Sequence, residues 1–339
     1  MENSCADKIN WFIYEHMPLI ESSYSPPIWM TNGHISTLVP SLWRAVSGVN
    51  YDRERIDTPD GDFLDLDWCH VGSKDLVIIT HGLEGNSKRP YVLGMAKCFY
   101  QIGWDVLAWN CRSCGGEINR KKRFYHHGET EDLQYIIGHA LSKKNFKNIA
   151  LVGFSMGGSI TIKLLSELSK TQKDIVKCGV VASVPVDLTE SVREFKKFSM
   201  ALYRKKFLKR LERKIRKKAE LYPEEIEYKD FSKIKYFSDF DNAYTAPLHG
   251  FKNADDFYEK ASAKNYLNAV NVPLLIINAL NDPFLTRGCY PFEHCKKSDY
   301  LYLETPKYGG HVGFMQKNVD TTYLEDRALG FVLGLIHNK

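Results

Sequence analysis

Along this chain, apolar and polar positions repeat with two periods. Asp75–Thr80, Trp104–Asn110, Asn148–Phe154, Cys178–Val184, Pro273–Ala279 and Tyr300–Glu304 are short apolar or β-branched runs. Such runs mark strands covered on both faces. Ile56–Trp68 alternates about Asp60-Gly61, which predicts an opening hairpin. Tyr91–Ile102, Glu129–Leu141, Gly157–Leu168 and Thr321–Ile336 carry helical spacing instead. Strands alternating with helices predict an α/β domain, a mostly parallel eight-stranded sheet with helices on both faces. The alternation fails between about Asp187 and Tyr266. That break predicts a helical cap inserted over the sheet edge where ligands bind. The expected organisation is an irregular N-terminal extension over 1–50 that packs on the core, a core of 51–186 and 267–339, and a cap over 187–266.

Charge sharpens the picture at one place. The net charge is +5, yet Arg204 to Lys218 holds ten Lys/Arg against Glu212 alone, which leaves the rest of the chain at −4. A uniformly basic nucleic-acid binder does not look like this, so no nucleic-acid partner is expected. Phe207, Leu208, Leu211 and Ile215 recur at helical spacing through the run, which predicts a basic amphipathic helix. Its bland reading is one packed stripe and a solvated charged face. Its sharper readings are peripheral contact of 204–218 with an anionic membrane, or attraction of acidic substrates. No apolar run reaches the roughly 18 residues of a membrane span, and the N-terminal residues lack a secretory pattern. A cytoplasmic location is therefore expected. Eight scattered cysteines form no disulfide framework. Cys111 and Cys114 lack the second pair that zinc needs, and Cys289, His294 and Cys295 make a weak metal candidate, so no metal is expected.

The chemistry concentrates in three strings. Gly153-Phe154-Ser155-Met156-Gly157 lies between the strand run NIALV and the helical run SITIKLLSEL. There a tight strand-to-helix turn lifts a serine hydroxyl above a sheet, the context of a nucleophile elbow. Asp282 follows the strand VPLLIINAL, and His311 follows YLYLE inside Gly309-Gly310-His311-Val312-Gly313. Nucleophile, acid and histidine thus arrive in α/β-hydrolase order. The roles follow: His311 takes and returns the proton of Ser155, while Asp282 fixes its tautomer. The amides of Met156 and Leu83, the latter in the loop Thr80–Ser87, are the oxyanion-hole candidates. His81 is expected to hydrogen-bond loop backbone beneath the site, and Glu84 to brace the loop or the cap. His127 and Asp132 fit a weak H-x4-D pattern, with Thr130 or Glu129 as helix cap. Phe231, Tyr236, Phe237, Phe240 and Tyr244 are candidates for an apolar acyl pocket. No dinucleotide or phosphate-loop fingerprint is present, so no cofactor is expected.

Five strings in order, THGLEGNS, NCRSCGGEINRKKRFYHHGETEDL, GFSMGGS, NDPF and GGHVGF, together with the upstream PPIWMTNGHISTLVPSLWR, resemble the YheT-type α/β-hydrolases. The resemblance runs from about Pro26 to His337. It implies the α/β-hydrolase fold and a triad on Ser155, Asp282 and His311. It also implies a carboxylic-ester hydrolase working through an acyl-enzyme on a small-molecule acyl ester, with medium-chain esters as the expected substrates. Members of the family also transfer acyl groups to alcohols or act as membrane-surface lipases and phospholipases. Both remain alternatives, as does a scaffold that has lost activity. One departure is Cys111-Arg112-Ser113-Cys114-Gly115-Gly116, where the family commonly has Arg-Gly-Cys-Ser-Gly.

Overall fold

The computed structural model describes residues 18–337. The strands are β1 (Leu19–Ile20), β2 (Asp52–Asp57), β3 (Phe63–Cys69), β4 (Asp75–Thr80), β5 (Asp105–Asn110), β6 (Asn148–Phe154), β7 (Val176–Ala182), β8 (Leu274–Ile277) and β9 (Leu301–Glu304). They form one sheet in the order β1-β9-β8-β7-β6-β4-β5-β3-β2. β2–β3 and β3–β5 pair antiparallel. β4 pairs parallel with both β5 and β6, and every pair from β6 to β9 is parallel as well.

The sheet has nine strands rather than the expected eight. Leu19 and Ile20 pair in parallel with Leu303 and Glu304 at its edge. Two residues are too few to show a period, so the sequence pattern does not reveal this strand. The same N-terminal stretch also holds a helix, α1 (Gly33–Trp43), capped by the Asn32 side chain accepting from the His34 and Ile35 amides. It is therefore less irregular than expected. The absent secretory pattern concerns residues 1–17, which lie outside the described residues.

Helices α2 (Pro90–Gln101), α3 (Glu131–Lys143) and α4 (Met156–Glu167) and the C-terminal helix Tyr323–His337 fall within two or three residues of the periodic runs. Successive side chains of a strand serve opposite faces. Leu76 and Ile78 join a core with α3 and α4, whereas Val77 and Ile79 join one with α2 and the C-terminal helix. This explains runs that are apolar without alternation.

Between 187 and 266 lie helices Leu188–Glu194, Ala201–Leu221 and Ala254–Ala261, with shorter helical turns. The basic helix thus runs longer than the charged stretch. Leu208 and Ile215 are buried in the main core. Lys218 is buried too, its Nζ donating at 2.6 Å to the Asn119 carbonyl. Burial pushes its pKa down to about 8. Among the described residues no helix is long and apolar enough to cross a membrane.

One buried charge cluster fixes the antiparallel end of the sheet. Arg112 has a side chain only 1% exposed and meets Asp62 at 2.9 Å, Asp60 at 2.8 Å and Asp132 at 2.7 Å. These carboxylates come from the β2–β3 turn and from α3, so one guanidinium ties hairpin to helix. Removing it leaves buried carboxylates uncompensated. Arg112→Leu is expected to cost about 3–5 kcal/mol of unfolding free energy in urea titrations; a loss below about 1 kcal/mol would contradict this account.

Candidate active site

Every string singled out for chemistry ends at the carboxyl edge of the parallel strands, where open α/β sheets bind ligands. Ser155 follows β6, His81 follows β4, Asp282 follows β8 and His311 follows β9. Ser155, His311, Leu83 and Met156 line one cavity of about 230 Å³.

Ser155 has φ 53° and ψ −119°, a conformation that side chains rarely adopt and that costs on the order of 1–3 kcal/mol. Its surroundings show why the turn keeps glycines. A Cβ at Gly157 would lie 2.3 Å from the Thr80 carbonyl oxygen, and one at Gly153 would lie 2.5 Å from that of Gly157. Helix α4 therefore starts in direct backbone contact with the end of β4. The serine stands at the helix N-terminus, where amides and the helix dipole favour negative charge. The Met156 and Leu83 amides have no acceptor among the described residues.

His311 Nδ1 lies 2.9 Å from Asp282 Oδ2. Asp282 is buried, and its other oxygen accepts from the Phe284 amide at 2.8 Å. The Phe284 ring packs on the imidazole with centroids 4.1 Å apart. Ser155 Oγ makes no hydrogen bond to the imidazole here; such contacts are commonly loose without substrate.

The sequence reading missed what holds the histidine loop. The His311 amide donates to Thr37 Oγ1 at 2.8 Å, the Gly310 amide to Asn281 Oδ1 at 3.0 Å, and the Val312 amide to Ser183 Oγ at 2.9 Å. Three distant segments thus support one loop, in which Val312 and Phe314 both take positive φ. The only signal for Thr37 was its place in the NGHIST string; nothing local marks Ser183.

His81 lies where expected, buried beneath the site. Its Nδ1–H donates to the Gly82 carbonyl at 2.7 Å, and its Nε2 accepts from the Cys111 amide at 3.1 Å. Glu84 braces both loop and overlying helix: Lys214 Nζ reaches Oε1 at 2.6 Å, and the Tyr125 hydroxyl donates to the same oxygen. Cys111 and Cys114 are buried free thiols, and Lys214 donates to the Cys114 sulfur at 3.2 Å. The H-x4-D pair is not brought together. Asp132 is taken by Arg112, while His127 lines the cavity. Thr130 does not cap α3, because its hydroxyl turns to Glu167; Glu129 Oε1 takes the Glu131 amide instead.

Of the five aromatics offered for an acyl pocket, Phe237, Phe240 and Tyr244 line the cavity. Phe231 instead stacks between Tyr228 and Tyr244, and Tyr236 lies under Arg204. Phe195, Phe207 and Phe284 line it as well, although none of the three was offered for the acyl pocket and Phe207 was read only as part of the helix's packed stripe.

One group among the described residues has metal-ligand spacing: His126, Glu129 and His249. Glu129 is already engaged by Arg123 at 2.9 Å, and burial pushes its pKa up to about 7. Cys289 and Cys295 are buried free thiols and form no such group with His294.

The chain matches the family model of the alpha/beta hydrolase fold over residues 75–317 and belongs to that family. Its branch is the YheT type. YheT of Escherichia coli (strain K12), which carries the name of an esterase, is 31% identical over 301 residues, 87% of each chain. Phospholipase ABHD3 of Mus musculus is 27% identical over 315 residues, 90% of this chain and 76% of that protein. Among solved structures, the Pyrococcus furiosus esterase PF2001 superposes with a TM-score of 0.58 at 22% identity, covering 87% of this chain and 96% of the other. This is an α/β-hydrolase of the esterase and lipase type.

Burial, with the nearby Lys214 and Arg89 charges outweighing Glu84, pulls the His81 pKa down from 6.5 to about 4. A histidine depressed in this way binds fewer protons folded than unfolded, so acid pulls the protein towards unfolding. This group's share of stability is complete above pH 6.5 and lost as pH falls towards 4, about 3 kcal/mol in all. In NMR titrations the His81 ring should stay neutral at pH 6 and titrate near 4; a midpoint near 6.5 would contradict its buried, doubly bonded placement.

Proposed function

We propose that the chain is a serine carboxylic-ester hydrolase working through an acyl-enzyme. The observation that carries this reading is the buried Asp282 bonded to His311 on a cavity wall shared with the strained Ser155. Ser155 Oγ attacks the ester carbonyl as His311 Nε2 takes its proton. Asp282 holds Nδ1–H, so Nε2 is the free base, and it stabilises the imidazolium that forms. The Leu83 and Met156 amides receive the developing oxyanion. His311 then protonates the leaving alkoxide, and water repeats the sequence on the acyl-enzyme.

Segment 187–266 serves as the cap, and Phe195, Phe207, Phe237 and Phe240 offer the acyl chain an apolar wall. Medium-chain esters suit such a wall, and the esterase and phospholipase names of the relatives support ester hydrolysis without bearing on chain length.

Hydrolysis of p-nitrophenyl esters from C2 to C16 tests the assignment. A medium-chain optimum is expected. Ser155→Ala should abolish turnover, and Asp282→Ala should lower kcat by about 10²–10⁴-fold with KM little changed. Equal rates in wild type and Ser155→Ala would sink it.

A second reading, work at a membrane surface, is favoured by exposed apolar side chains. Phe198 is 95% exposed, Leu202 80% and Trp43 72%. They sit on α1 and at the start of the basic helix, which His34 and Tyr203 join through a 3.2 Å hydrogen bond. On this reading the protein floats with anionic vesicles, and Phe198→Ser with Leu202→Ser weakens flotation. Failure to float with any vesicle would remove the reading.

A further inference from the structure

The basic helix presents two parallel rows to the cavity. Tyr203, Phe207 and Leu211 form an apolar row at four-residue spacing, and Lys206, Arg210 and Lys214 form a cationic row beside it. Residues four apart lie one above another on a helix, so each row is continuous. Lys214 is answered by Glu84. Lys206 and Arg210 have no carboxylate partner among the described residues, and neither does Arg89, which faces them across the cavity from the loop before α2.

The three cations converge. Arg210 Nη1 and Arg89 Nη2 donate to the same acceptor, the Glu84 carbonyl oxygen, at 3.1 and 3.2 Å. That carbonyl belongs to the residue after Leu83, so the charges gather beside the oxyanion loop. Burial, with mutual repulsion added, pulls the pKa values of Lys206 and Arg210 below their usual values. The cavity's two carboxylates are engaged elsewhere, and Glu84 offsets the repulsion on Arg210 only in part. Glu84 is held by Lys214 and Tyr125, and Asp241 by Tyr258 and Thr245. Like charges held together without a counter-ion are costly unless an anion joins them.

We infer that Arg89, Lys206 and Arg210 form an anion subsite for a phosphate carried by an amphiphilic ester, whose chain lies along the neighbouring apolar row. Two guanidinium forks and an ammonium offer more donors than a carboxylate accepts, and they match a phosphate monoester in geometry and charge. The adjoining row of Tyr203, Phe207 and Leu211 sets the ligand apart from free phosphate, which has nothing to place there. This inference rests on the ester-hydrolase reading for its substrate, but the subsite can be tested without turnover.

Octyl phosphate, 1-octanol and inorganic phosphate are titrated calorimetrically against the full chain carrying Ser155→Ala. The same titrations follow with Lys206→Gln and Arg210→Gln added, and with Lys206→Gln alone in case the combined variant folds poorly. Octyl phosphate should bind at least about tenfold more tightly than octanol, and that preference should shrink at least about fivefold when the cations are removed. Equal affinity for the phosphate and the alcohol, or a preference unmoved by either variant, would overturn the subsite. Inorganic phosphate binding as tightly as octyl phosphate would overturn its amphiphilic character. Ester turnover that survives Ser155→Ala would instead strike at the hydrolase reading and leave the binding result standing.

Discussion

The site depends on a close approach of backbones that only glycine permits. Gly157 brings the first turn of α4 against the carbonyls of Thr80 and His81, at 2.3 and 2.6 Å from where a Cβ would stand. This contact locks two loops together: the one that holds the proposed nucleophile and the one that holds Leu83. Neither can shift alone. His81 extends the lock downward by spending one ring nitrogen on Gly82 and the other on Cys111. An oxyanion hole made of two amides from different loops works only if their separation is fixed before substrate arrives. Here backbone packing at Gly157 and the two ring bonds of His81 together fix the relation of the two loops.

The histidine side of the site adds side-chain bonds to a second close backbone approach. A Cβ at Gly313 would stand 1.9 Å from the Ser36 carbonyl oxygen, and one at Gly310 would stand 2.7 Å from that of Gly33. The loop hangs as well from side-chain acceptors on Thr37, Ser183 and Asn281. Each is a single hydrogen bond from a different part of the chain, worth about 1 kcal/mol net. The bonds offset backbone strain at Val312 and Phe314, where φ is 59° and 47°. Backbone contact and side-chain bonds together set where the loop presents the imidazole, and the Asp282–His311 bond sets its orientation.

Local patterns were legible in the sequence, and contacts between distant loops were not. Strand runs, the elbow, the order of serine, aspartate and histidine, and the basic helix are local patterns, and each appears in the structure within a few residues of its predicted place. The edge strand Leu19–Ile20 is too short for a period to show. The supports at Thr37 and Ser183 depend on which loops the topology brings together, and no local spacing encodes that. Asp132 shows the same limit from the other side: the H-x4-D spacing drew attention to a histidine, while the fold gave the carboxylate to Arg112, twenty residues earlier. Charge composition was legible as a total but not in its direction. Ten cations in fifteen residues read as a solvated face, yet Lys214 and Lys218 point inward, and Arg210 meets the oxyanion loop.

That inward turn ties the basic helix to the loop that carries Leu83 and Glu84. Glu84 carries the connection twice, through its carboxylate to Lys214 and through its carbonyl to Arg210. Lys218 adds a buried bond to Asn119 one turn further on. Swinging the basic helix away from the cavity would break all three, leaving the Glu84 carboxylate with only the Tyr125 hydroxyl and Lys214 without its carboxylate in a partly dry setting, a cost of several kcal/mol. The helix is therefore part of the rigid wall rather than a free lid. Segment 223–235 is held more loosely: most of its residues are exposed and it contains no long helix.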